Sequence, residues 1–337
     1  MTSIERVEKA IRRELPDRIP IGTFMGNHTA FLAGTPLIEF YTKSEKMYKA
    51  QMVAQEEYEQ DIITFMSDNY YIAEGFGTEV TYHQDSLPTF TKPAVETLKE
   101  VTSLKVPDPE RDGRMHVYLE AEQKAYEKLG DRYVIRGCGT GPFSLASHLM
   151  GTQNFIMEIS KAFYGLPDSD EAALIDLIDF SSEALFRFSI AQMKAGCRMI
   201  SCGDSLASLD MISPGIYKKY VYPVEYDLFK RLKPFLLEYK AYMVLHICGD
   251  NTKILNEIAD TDTDCFEVDH KIDMAKCKQT IGDRVCLIGN IDPSGIILQG
   301  SVQEVEHAVG RCIEAAAEDG GFILGSGCEV PLKTPPD

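Results

Sequence analysis

The 337 residues carry 34 lysines and arginines against 52 aspartates and glutamates, a net charge of −18 that argues against a nucleic-acid-binding face and against anionic membranes. At 44% hydrophobic and 26% charged, the chain is long enough to bury one large α/β core. The nine cysteines follow no small-domain disulfide spacing, the N-terminus lacks an apolar leader, and no run reaches the roughly 18 apolar residues of a membrane span, so a cytoplasmic protein with reduced thiols is expected.

The chain opens on an amphipathic helix. Thr2-Ser3-Ile4-Glu5 has the pattern of a capping box, and Ile4, Val7, Ile11 and Leu15 share one face. Past the Pro16-Asp17 break, RIPIGTFMG (18–26) is a strand candidate. A helix over about 44–60 delivers the chain to a second, DIITFMSD (61–68). Residues 70–110 hold shorter alternating pieces and the turn-rich VPDPERDG, an excursion within a single domain over 1–337.

Regular alternation follows. Helix 115–129 leads to YVIRGCGTG, and a helical stretch of about 50 residues leads to CRMISCGD. Helix 214–238 leads to AYMVLHICG, helix 251–260 to DCFEVDH, a short helix to RVCLIGNID, and helix 302–318 to GFILGSGCEV. Eight strands separated by helices imply parallel pairing and a closed (β/α)8 TIM barrel, with an open doubly wound sheet as the weaker alternative. Thr334-Pro335-Pro336-Asp337 reads as the start of an eighth helix that does not continue.

A barrel of this kind works at the C-terminal ends of its strands. In KAYMVLHICGD, His246 and Cys248 lie two apart at such an end and point the same way. An imidazole beside a thiolate is half of a tetrahedral zinc site, and Cys328 in GSGCEVP is the obvious further donor. Asp204 and Asp292 are candidates to hydrogen-bond or protonate a leaving atom, against a structural reading as caps or loop braces. Met25, Phe65 and Met211 are candidates for an apolar substrate pocket or ordinary core, and Asn27 and Asn290 stand at strand ends as substrate-binding candidates. The glycines of 137–141 lack a Walker lysine and read as a close-packed turn.

Taken together, PDRIPI, GPFSLASHLMG (141–151), CGDSLASLDMISPGIYKKYVYP (202–223), HICGD (246–250), GNIDP (289–293) and GSGCEVP (325–331) resemble the uroporphyrinogen decarboxylase superfamily. Within it, the likeness is to the zinc-dependent, corrinoid-linked methyltransferase branch. The resemblance implies a TIM barrel with zinc on His246, Cys248 and Cys328. A further ligand beyond strand 6 falls at His270, with Glu267 and Asp269 as alternatives. It also implies a corrinoid carried by a partner protein and a small-molecule methyl donor or acceptor. The decarboxylase branch needs arginines near the N-terminus to hold a porphyrin's carboxylates, and none lies between Arg18 and Arg111. A neutral His270 on zinc would make the metal more Lewis acidic and favour demethylation of a donor such as a phenyl methyl ether. The rivals are methylcobamide:thiol methyl transfer and a metal-free decarboxylating or binding relative. Homo-oligomerisation is left open.

Overall fold

The computed structural model describes residues 1–337. Its main sheet contains seven parallel strands: β1 (Ile62–Phe65), β4 (Val134–Thr140), β5 (Met199–Gly203), β6 (Tyr242–His246), β7 (Cys265–Glu267), β8 (Cys286–Ile291) and β9 (Phe322–Ser326), paired in that order. The excursion after β1 folds as an antiparallel hairpin, β2 (Glu79–Thr81) with β3 (Thr89–Lys92), flanked by 3-10 turns.

The eighth stave is slighter than the expected strand over 18–26. It consists of one parallel bridge, Ile21 with Leu324. Pro20 has no N–H to give to a ladder, and a helix already begins at Gly26, so only a few residues are free to extend. Those few close the ring. Leu324 N donates to Pro20 O and Gly22 N to Leu324 O, both at 2.9 Å, while on the other side Asp61 N donates to Ile21 O at 2.9 Å. The sheet is therefore a (β/α)8 barrel with one thin stave. A Cβ on Gly22 would stand 2.7 Å from Ile62 Cδ1, so glycine lets the stave lie close against β1.

Helix α1 (Ser3–Ile11) starts at the expected Thr2/Glu5 capping box and buries Val7, Ala10 and Ile11. These three pack with Ile62, Val134, Met199, Val244, Cys265, Cys286, Ile288 and Ile323 into an apolar plug inside the barrel. Helices α2 (Gly26–Leu32), α3 (Leu37–Thr42), α4 (Ser44–Tyr58) and α5 (Met115–Leu129) precede β4. The 50-residue helical stretch resolves into α6 (Pro142–Met150), α7 (Thr152–Tyr164) and α8 (Glu171–Lys194). A helical turn α9 (Pro214–Ile216) and a π-helical turn lead into α10 (Tyr222–Tyr239), and α11 (Leu255–Asp260), α12 (Met274–Ile281) and α13 (Val302–Ala316) complete the outer layer. Residues 327–337 after β9 contain no helix.

A candidate metal centre at the barrel mouth

β6 ends at His246, and Cys248 follows in the loop. Gly249 then takes φ +86°, where a side chain would be strained and would stand 2.7 Å from Asp210 Oδ2. Asn251, fully buried, pins this loop by donating Nδ2–H to the carbonyls of Ile247 (2.9 Å), Cys248 (3.0 Å) and Gly249 (3.2 Å). Gly249 N donates to Asp269 Oδ2 at 2.8 Å, tying the loop to the end of β7. Backbone hydrogen bonds thus fix where Cys248 points before any ligand arrives.

Cys328 comes in from beyond β9. The ligand atoms of His246, Cys248 and Cys328 all lie within 4.8 Å of one another, and His246 Nε2 is 3.3 Å from Cys248 Sγ. Zn–N and Zn–S bonds of about 2.0 and 2.3 Å would span a tetrahedral edge of about 3.5 Å, so the pair is spaced for a common ion. His246 Nδ1 donates to the Glu267 carbonyl at 3.0 Å. A carbonyl only accepts, so Nδ1 carries a proton, and Nε2 is the ring nitrogen that faces the sulfurs. A hydrogen bond from the Cys328 thiol holds the Cys248 sulfur well below the usual thiol range, against burial and with help from His246. The same contact, with burial, raises Cys328. Burial works against charge on His246, but the Cys248 sulfur and the Glu267 carboxylate outweigh it and raise the imidazole to about 9.

The other expected site residues are dispersed. His270 is outside the triad: its Nδ1 lies 3.2 Å from Asp269 Oδ1 and its side chain is about one-third exposed. Asp269 is occupied by the amides of Gly249 and Lys271. Glu267 is bound through both oxygens by Arg136. Asp204, fully buried, accepts from Phe143 N (3.1 Å) and Ser144 N (2.6 Å), capping α6 from a neighbouring loop. Asp292 likewise accepts from Ser294 N and Gly295 N, both at 2.9 Å, heading the turn after β8. Asn290 donates to the carbonyls of Asp269 and Ile272 and so braces two strand ends. Asn27 is closer to the centre, giving N–H (2.7 Å) and Nδ2–H (2.8 Å) to Glu329, the residue after Cys328. Met25 instead lines a cavity of about 750 Å3 shared with His28, Tyr58, Val305 of α13 and the C-terminal Pro335-Pro336.

Two further residues bear on the centre. Ser205 stands beside the Cys248 sulfur and helps to lower its pKa. Arg136 lies fully buried in the middle of β4, and a charged residue inside an otherwise apolar strand was the signal available. A second buried group, Cys202, Asp204 and Glu225, also has its ligand atoms within 4.8 Å of one another.

A parallel (β/α)8 barrel with polar side chains gathered at its strand ends defines a class of enzyme scaffold. The chain belongs to the uroporphyrinogen decarboxylase (URO-D) family, whose model matches residues 2–337. It is 27% identical to a methylcobamide:CoM methyltransferase of Methanosarcina acetivorans over 99% of this chain and 94% of that protein. It is 33% identical to a methylcobamide:CoM methyltransferase of Methanosarcina barkeri over 66% of this chain and 60% of that one. A solved methyltransferase from Methanosarcina mazei superposes with a TM-score of 0.87 at 25% identity, covering 100% of this chain and 95% of that chain. The activity class these relatives support is corrinoid-dependent methyl transfer.

Proposed function

We propose that this protein is a zinc-dependent methyltransferase that transfers a methyl group from the corrinoid of a partner protein to a small thiol. The observation that carries this reading is the triad: three ligand atoms within 4.8 Å of one another, with His270 outside the group. Two thiolates, one neutral imidazole and a dication sum to zero, and a substrate thiolate completing the set gives −1. That balance keeps the incoming sulfur electron-rich. The ether-demethylating reading places His270 as a neutral fourth ligand, whereas its Nδ1 lies 3.2 Å from Asp269 Oδ1 and its side chain is about one-third exposed. The donor set itself, one imidazole and two sulfurs with a position left for substrate, is the kind zinc takes at catalytic sites.

When bound, zinc would supply a low-pKa environment in which the acceptor sulfur is thiolate at neutral pH. The chain's own residues do the rest. The Glu267 carbonyl keeps the proton on His246 Nδ1. Asn251 and Asp269 hold the Cys248 loop rigid, and Ser205 steadies the Cys248 sulfur. In the transfer the Co–CH3 bond breaks with both electrons left on cobalt, giving Co(I), and the methyl forms a bond to sulfur. The test is anaerobic incubation with methylcobalamin and 2-mercaptoethanol, followed by absorbance. Thiol-dependent appearance of cob(I)alamin, abolished in Cys328→Ala, is expected. No thiol-dependent reaction, with cob(I)alamin methylated by an aryl methyl ether instead, would overturn the thiol reading in favour of ether demethylation.

A further inference from the structure

Next to the triad, inside the barrel, Arg136 is 1% exposed and makes three hydrogen bonds. It donates Nη1–H to Glu267 Oε1 (2.7 Å), Nη2–H to Glu267 Oε2 (2.9 Å) and Nε–H to Ser201 Oγ (2.7 Å). Phe24 covers the guanidinium, with its ring centroid 5.4 Å away. Glu267 stands directly beside His246 in the sheet register, and its Oε2 is 3.6 Å from His246 Nδ1.

Carboxylates are ordinary zinc ligands, and this one stands on the Nδ1 edge of the imidazole, the edge away from the sulfurs. The fork takes both of its oxygens. A buried ion pair adds little stability over apolar residues of the same volume, so stability alone does not account for this one.

We propose that Arg136 is a positioning residue for the metal. By clamping Glu267 it holds that carboxylate on the Nδ1 side of His246 and out of the coordination set, and so reserves the fourth position for the substrate sulfur. This rests on the reading of the triad as a metal centre.

The test uses the full chain loaded with Co(II), whose visible bands report the ligand set, titrated with 2-mercaptoethanol. In the wild type the thiol shifts the d–d bands and adds sulfur-to-cobalt charge transfer. In Arg136→Met the freed Glu267 fills the fourth position, metal is retained, and the apparent thiol affinity falls at least about tenfold, the size typical of an outer-partner change. Arg136→Met/Glu267→Gln removes the competing carboxylate with the clamp and restores the thiol response to within about threefold of wild type, a rescue that a merely structural arginine would not show. An unaltered response in Arg136→Met, or no rescue in the double variant, overturns the proposal. Should Arg136→Met fail to fold, Arg136→Lys, which frees one carboxylate oxygen, is expected to weaken thiol binding, and an unchanged affinity overturns the clamp. A wild type that takes up neither zinc nor cobalt overturns the metal reading itself, whereas failure of the variants alone overturns only the role of Arg136.

Discussion

Glu225 is fully buried on α10, and Tyr217 donates to its Oε2 at 2.6 Å while Oε1 has no partner. Burial, reinforced by Asp204, pushes this carboxyl up to about 8. Its folded value is thus above its unfolded one of about 4.3. As pH rises between these values the unfolded chain ionises and the folded one does not, so the Glu225 contribution to stability is lost over that window and is constant above it. Glu225→Gln removes the effect. Unfolding free energies from denaturant titration should be closest for variant and wild type near pH 5 and separate by about a few kcal/mol in the variant's favour by pH 8. A separation independent of pH would contradict the assignment. At this scale the triad was legible because His246 and Cys248 share a strand-end face and Cys328 ends another strand. Arg136 and Ser205 were not, because what they do depends on partners from strands and loops distant in sequence.

α6 begins at Gly141-Pro142, with no capping side chain of its own. Asp204 supplies the cap from the loop after β5, and a side chain on Gly141 would collide with it. Asp204→Ala should lower stability by about 1–2 kcal/mol, read as a shift in denaturant midpoint. If stability held while activity fell, the aspartate would belong to the chemistry instead. The outer helices were readable from apolar periodicity and caps: α5 and the start of α13 fall where the sequence puts them, and α1 starts at its capping box. The first strand was not, because RIPIGTFMG has a strand's composition but Pro20 and the helix at Gly26 leave room for only one bridge. Likewise, Asp204 and Asp292 carry the same residue type as a catalytic acid, and only the amides around them show that they serve as caps.

At the scale of the whole barrel, closure depends on Asp61. Fully buried, it accepts from Arg6 Nη1 (2.7 Å), Arg18 Nη1 (2.7 Å) and Ile21 N (2.9 Å), joining α1, the thin stave and the strand beside it. Asp61→Ala leaves Arg6 buried with one partner fewer, and removing one side of such a pair costs about 3 kcal/mol or more. Amide exchange should accelerate first at Gly22 and Leu324, whose amides donate across the bridge, and last in β5 and β6. Uniform acceleration across all strands would contradict a stave-first opening. The barrel itself was legible in the alternation of strands and helices, since parallel strands need crossovers and eight such units close on themselves. No helix is long and apolar enough to cross a membrane.

The central claim is that His246, Cys248 and Cys328 hold a zinc ion with a position open to a thiol. Zinc K-edge X-ray absorption of the purified protein tests it most directly. The account predicts about one zinc per chain with two sulfurs and one imidazole in its first shell, and three sulfurs after 2-mercaptoethanol is added. Absence of zinc, or a sulfur count that does not change with thiol, would contradict it.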